Sequence, residues 1–235
     1  MKRISIISVI LVLATLGLGS AAFGQGKKNG KELRTAVERV DNASTVMNEI
    51  MSISDKSIPS DLLAKAKAIV IFPGALKAAF IFGGQGGVGV VIRRTADGWS
   101  APAFLNMGGG SFGAQIGGQK TDYVLLIMND KGLKNLMQDK FEIGGEGSVA
   151  AGPVGRTAAA STNVTLDAEI LSYSRTKGLF AGLALKGVYI APDSDLNTAV
   201  YGRSAKEILG DPPMESTSAP GALQRLAQTV GKYTK

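Results

Sequence analysis

Gly109-Gly110-Ser111-Phe112-Gly113 has the G-x-S-x-G spacing of a nucleophile elbow, the turn that presents a reactive serine hydroxyl. Such a serine needs a base to take its proton, normally a histidine, and the chain has none. Spacing leaves a Ser–Lys arrangement with Lys120 as the hydrolase reading, beside a plain tight connection between strands over residues 108–118. Gly84-Gln85-Gly86-Gly87-Val88-Gly89 fits G-x-G-x-x-G. That motif binds a dinucleotide only where a helix opens at the loop and an acid follows about 20 residues later. Here the chain runs on through β-branched Val88, Val90, Val91 and Ile92, and residues 105–115 hold no Asp or Glu. Asp122, Glu142, Glu146, Asp167 and Glu169 have the chemistry for acid–base work or a hard cation, but no EF-hand spacing joins them. Without cysteine or histidine, transition-metal sites are not expected either. The reading is a protein without enzyme activity, metal or cofactor, which leaves binding.

The residues suited to binding are cations on turns. Ser174-Arg175-Thr176-Lys177-Gly178 puts two cations and two hydroxyls on a turn where Gly178 takes positive φ without a Cβ clash. Cations, hydroxyls and N–H groups there can meet an anion together, though the same residues also make an ordinary solvated hairpin. Gly152-Pro153-Val154-Gly155-Arg156 makes a rigid loop from which Arg156 offers a bidentate fork to a phosphate, or a salt bridge to Asp167 or Glu169. Lys77, Lys120, Arg93 and Arg94 are further candidate cations.

These residues need elements to position them. Apolar residues at helical spacing run from Glu32 to Met51, and 60–67, 130–138, 193–201, 204–209 and 219–235 also read as helices. Short strand-like runs occupy 68–72, 78–82, 88–94, 99–104, 111–116, 123–128, 166–173 and 179–190. Pro73-Gly74, the 83–87 and 108–110 glycine clusters, Asp97-Gly98 and Gly117-Gly118 separate them as turn signals. The expected fold is α+β: an antiparallel β core, barrel- or sandwich-like, with flanking N- and C-terminal helices. Glycine, at 31 of 235 residues, is clustered rather than periodic, which argues for tight turns and closely approaching strands.

Tyr173 to Gly187, YSRTKGLFAGLALKG, closely resembles the signature of the SYLF domain family, the Ysc84-type actin-binding domains. AKAIVIFPG from Ala66, KAAFIFGGQGGVGV from Lys77, GWSAPAFLNMGGGSFGAQIGGQKTDYVLLIMN from Gly98 and GGEGSVAAGPVGR from Gly144 follow in the family's order. The resemblance covers residues 60–209 and implies binding of acidic or phosphorylated membrane lipids, with actin a further ligand of some members and no enzyme activity. On this reading Arg156, Arg175, Lys177, Lys77 and Lys120 are the headgroup-binding candidates, and an amphipathic terminal helix supplies apolar contact.

Residues 1–24 read as a signal peptide of an exported member: Lys2 and Arg3, an apolar run over 4–18, then small residues at Ala22 and Gly24 for cleavage. A retained anchor is the competing reading, and the run is short for a span. The organisation expected is 1–24 signal, 25–59 basic arm and N-terminal helix, 60–210 SYLF-like domain, and 211–235 linker and C-terminal helix. The formal charge of +7 favours acidic partners. Expected partners are anionic phospholipid surfaces in the periplasm or outside the cell; nucleic acid is not among them, and an exported chain is not expected to meet actin. The alternative is a cell-envelope module for self-association into a homo-oligomer or for a protein partner.

Overall fold

The structure, a computed structural model, describes residues 19–53, 57–79, 83–111, 117–155 and 168–234. Helix α1 (Gly19–Met51) turns Ala36, Val40, Ala43, Met47 and Ile50 to one side at helical spacing, and all are fully buried. It is helical through 25–31, which the sequence reading set apart from the helix as a basic arm. Helix α2 (Ser60–Lys65) follows Pro59, with Ser60 as its first helical residue rather than its cap.

Strands β1 (Ala68–Ala79), β2 (Gly83–Thr95), β3 (Gly98–Trp99), β4 (Ala103–Ser111) and β5 (Gly117–Ile127) form the centre of the sheet. Helix α3 (Asp130–Leu136) follows, capped by the Asn129 side chain, then β6 (Phe141–Ile143) and β7 (Val149–Ala151). The chain continues through β8 (Ile170–Thr176), β9 (Leu179–Gly182) and β10 (Val188–Pro192). Helices α4 (Ser194–Tyr201), α5 (Ala205–Leu209) and α6 (Arg225–Gly231) complete it. Asp193 caps α4, and Ser204 with Glu207 forms a capping box on α5.

The strand order is β6-β10-β4-β2-β1-β5-β8-β7, with β3 added to β2 and β9 to β8. Every pair is antiparallel except β7 with β8. A bridge from Ile143 to Gly147 brings the two ends of the sheet together, so the sheet is a nearly closed barrel. This is the α+β architecture with an antiparallel core that the sequence implied.

Two expectations about turns are corrected. Pro73-Gly74 does not end a strand: β1 runs on to Ala79 through a register shift between Phe72 and Ala75. Gly74 takes φ 57°, and its N–H donates to Asp122 Oδ1 at 2.7 Å, so the break is a bulge held by a side chain. The glycines of 83–87, 108–110 and 117–118 likewise lie in strands β2, β4 and β5. Some of these sheet glycines answer to close packing: a Cβ on Gly109 would sit 2.7 Å from the Gly187 carbonyl oxygen. The strands expected at 78–82 and 111–116 extend into residues 80–82 and 112–116, which lie outside the described residues.

Strand alternation sends Phe72, Leu105, Leu125, Ile127, Phe141 and Ile190 to the inner face, all essentially fully buried. Ile69, Ile71, Val90 and Ile92 point to the outer face and are equally buried, because α1 packs across β1 and β2. Leu223, Leu226 and Val230 of the C-terminal segment are also fully buried. Arg225 pairs with Asp41 of α1 at 2.9 Å, and the Tyr233 hydroxyl donates to Asn48 Oδ1 at 3.0 Å. The apolar stripe that the sequence offered to lipid therefore belongs to the core, a further correction to the sequence reading.

Candidate functional site

The β8–β9 hairpin turns on Lys177 at φ 48° and Gly178 at φ 81°. Two central residues with positive φ make the turn that matches strand twist, and glycine supplies one of them without strain. Lys177 and Leu179 project from it, Leu179 with 79% of its surface exposed. Arg175, two residues earlier, is held instead. Its Nε donates to Asp122 Oδ2 at 2.9 Å, its Nη2 lies 2.8 Å from the same oxygen, and Nη2 also donates to Glu49 of α1. Asp122 is its cross-strand partner, so register creates the pair. Burial alone would lower the Arg175 pKa; the hydrogen bonds and charges of Asp122 and Glu49 raise it above the ordinary value. The guanidinium is a clamp joining β8, β5 and α1, and it is committed to two carboxylates.

Lys77 stands opposite Gln119 on one side and Gln85 on the other. Lys120 stands opposite Leu76. One residue beyond the Asp122–Arg175 pair, the Thr121 and Thr176 hydroxyls lie 2.8 Å apart, which brings Lys120 and Lys177, the next residues outward, to the same end of the sheet. Lys77, Lys120 and Lys177 are exposed, and among the described residues none makes an ion pair. Three of the sequence candidates thus meet at one end of the barrel, and Arg175 sits behind them. Arg156, with Asp167, lies outside the described residues. Its loop is anchored, though: the Tyr173 hydroxyl donates to the Pro153 carbonyl at 3.2 Å, and Gly155 N–H donates to the Ser57 carbonyl at 3.0 Å.

Arg93 and Arg94 serve the fold. Arg93 donates to the Leu209 and Gly210 carbonyls at 2.7 and 2.6 Å and pairs with Asp211. Arg94 donates to the Ala66 and Leu63 carbonyls at 2.9 and 2.7 Å and stacks 4.3 Å from the centre of Trp99, its pKa lowered by burial. Each guanidinium closes a helix C-terminus, where carbonyls lack partners. Leu76, absent from the sequence candidates, and Leu179, which the sequence reading placed in a strand, are exposed apolar neighbours of the lysines; Leu76 has 55% of its surface exposed. The visible signal was Leu76-Lys77 directly after the Pro73-Gly74 break, an apolar–cationic pair where alternation restarts.

The catalytic motifs come apart. Gly84 to Gly89 lies within β2, with no helix for a pyrophosphate to face. Ser111 ends β4 and Lys120 lies in β5, with β2 and β1 between them in the sheet. Three strand spacings are roughly 14 Å, too far for lysine to serve that serine as base. Glu169 is buried against Lys131 Nζ at 2.7 Å and Asn135 Nδ2 at 3.2 Å, a structural pairing.

The family model for Ysc84, described as a Las17-binding protein actin regulator, matches residues 108–233. The chain belongs to the Ysc84 family. It is 40% identical over 148 residues to an SH3 domain-containing protein of Schizosaccharomyces pombe, covering 61% of this chain and 34% of that one. It is 38% identical over 162 residues to LAS seventeen-binding protein 3 of Saccharomyces cerevisiae, 66% of this chain and 35% of the relative. With the human SH3 domain-containing YSC84-like protein 1 it shares 30% identity over 203 residues, 82% and 58% of the two chains. The matched region spans between about a third and three-fifths of these relatives' lengths. Among the described residues, no helix is long and apolar enough to cross a membrane.

Proposed function

We propose that this Ysc84-family chain binds anionic phospholipid surfaces, without catalysis, through the glycine-rich end of its barrel. The observation that carries this is the convergence of Lys77, Lys120 and Lys177, from β1, β5 and the β8–β9 turn, with no carboxylate partner among the described residues. Leu76 and Leu179 beside them add apolar side chains suited to the headgroup–acyl boundary. Arg175 supports the hairpin rather than contacting lipid. On the reading of residues 1–24 as a signal peptide, the surface bound lies in the periplasm or outside the cell and actin is not the partner. The family description speaks of Las17 binding and actin regulation, and the name of one yeast relative speaks of Las17 binding.

Flotation of the protein on neutral and anionic vesicles at low and high salt tests the reading. Lysines near an anionic surface contribute about 1 kcal/mol each. Lys120→Ala with Lys177→Ala should therefore weaken binding to anionic vesicles about 30-fold at low salt, with little effect at high salt. Binding indifferent to vesicle charge, or unchanged in the double variant, overturns it. A second reading keeps one observation of its own: β9 pairs only with β8, so its outer edge is free for strand addition by another chain among the described residues. Salt-insensitive oligomerisation in place of vesicle binding would select it.

A further inference from the structure

Strand alternation separates the polar residues at this end into an outer and an inner set. Lys120 lies on the outer face with Asp122 and Arg175, whereas Lys77 follows Ala75 onto the inner face. Lys77 is bracketed there by Gln85 of β2 and Gln119 of β5, its Cα partners in the ladder. Thr121 and Tyr123 continue the inner face of β5, and the Thr121 hydroxyl lies 2.8 Å from that of Thr176 on β8. The buried Tyr123 hydroxyl donates to Gln85 Oε1 at 3.5 Å, a long bond that leaves the phenol free to turn toward a better acceptor. Burial pushes the Tyr123 pKa up, with a smaller opposing effect from Thr121, so it remains a neutral donor.

The inner rim therefore has one cation ringed by groups that both donate and accept hydrogen bonds. Carboxamides and hydroxyls suit the hydroxyls of a polyol, and an ammonium suits only an anion. No Asp or Glu occupies the inner face of β1, β2, β4, β5 or β8 among the described residues, so a cationic group on a ligand would find no partner. We propose that this inner rim is a selective site for a phosphate carried on a polyol, with Lys77 holding the phosphate and Gln85, Gln119 and Tyr123 the hydroxyls. The inference rests on the lipid-surface reading and adds headgroup choice to it: glycerol-type phosphate headgroups over serine-type headgroups of the same net charge. The outer lysines supply general attraction and the inner rim supplies discrimination.

The test is titration of the whole protein with water-soluble short-chain phosphatidylglycerol and phosphatidylserine, followed by calorimetry and amide chemical shifts. Glycerol 3-phosphate and inorganic phosphate form parallel arms. The expected result is a preference for phosphatidylglycerol of about tenfold. It should be lost in Gln85→Leu/Gln119→Leu, which leaves the charge unchanged, and Lys77→Ala should weaken both lipids about fivefold. Should the leucine variant fail to fold, Gln119→Glu sets a carboxylate beside Lys77 at nearly constant shape and must weaken phosphatidylglycerol binding. Glycerol 3-phosphate binding as tightly as the lipid would support the same site with a soluble polyol phosphate as its ligand. Equal affinity for the two lipids, or a preference that survives these substitutions, overturns the inner rim. Vesicle binding that is unchanged in Lys77→Ala but falls in Lys120→Ala/Lys177→Ala would show the surface reading standing without the rim; loss of all vesicle binding in the unsubstituted protein removes both.

Discussion

The helix-covered half of the barrel and its glycine-rich end are made by the same strands. In β1, residues Ala68, Ile69, Val70, Ile71 and Phe72 are fully buried, while Leu76 and Lys77 are exposed. In β5, Val124, Leu125, Leu126 and Ile127 are fully buried and Lys120 is exposed; in β2, Val90, Val91 and Ile92 are buried while Val88 has 43% of its surface exposed. The hydrogen-bonded ladder continues past the point where side chains stop filling a core. Buried packing is therefore concentrated in one half and the exposed lysines of the proposed binding surface in the other, and substitutions should separate the two.

The largest effect expected is on packing. A Cβ at Gly182 would stand 2.0 Å from the Gly152 carbonyl oxygen, and one at Gly152 would stand 2.0 Å from Cζ of Tyr173. Backbone lies directly on backbone and ring there, so Gly182→Ala should destabilise by about 3 kcal/mol in urea unfolding, at the upper end for overpacking. Gly110, on β4 at the glycine-rich end, has nothing within 4 Å of an added Cβ among the described residues, and Gly110→Ala should stay within about 0.5 kcal/mol. Equal costs for the two would erase the contrast between the halves.

Arg175 sits at the boundary and sharpens it. Its side chain is 20% exposed and that of Asp122 16%, so Arg175→Ala leaves a mostly buried carboxylate without its cation. A loss of about 2 kcal/mol is expected, less than for a fully buried pair because Glu49 is half in water. Vesicle binding per folded molecule should hardly change. Unaltered stability with a loss of vesicle binding would return Arg175 to the headgroup.

Much of this division was legible before any fold was known. The helical spacing of Val40, Met47 and Ile50, the short helices read over 193–201 and 204–209, and the Gly178 turn all act locally, and local signals survive in sequence. The glycine clusters misled because glycine marks both turns and close approach, and which one applies depends on a partner far along the chain, as Gly109 does on Gly187. Lys77, Lys120 and Lys177 stood out as cations, but their common end of the barrel follows from register across β1, β5 and β8. Arg175 showed the same charge in sequence as Lys177. Only the pairing with Asp122 and Glu49 distinguishes clamp from free cation.

The smallest effect expected concerns two tyrosines inside the stable half, and it tests whether satisfied and unsatisfied polar groups there differ. Tyr173 stacks on Phe180 with centroids 5.6 Å apart and donates to the Pro153 carbonyl, so Tyr173→Phe loses a hydrogen bond and should cost about 1 kcal/mol near neutral pH. Tyr201 stacks on Phe104 at 6.3 Å, but its buried hydroxyl has no partner among the described residues. Tyr201→Phe should be neutral or slightly stabilising, because a desolvated hydroxyl is removed without breaking a bond. Burial raises both phenols well above the ordinary value of 10.0, so the folded chain keeps protons that the unfolded chain releases. The stability this linkage supplies is fully present below the unfolded-state pKa of about 10 and declines as pH rises beyond it. Each Tyr→Phe variant should accordingly flatten the alkaline loss of stability, Tyr201→Phe without the neutral-pH penalty. Urea unfolding at neutral pH and above pH 10 reads both effects, and a neutral-pH cost for Tyr201→Phe equal to that for Tyr173→Phe would mean that the Tyr201 hydroxyl has a partner after all.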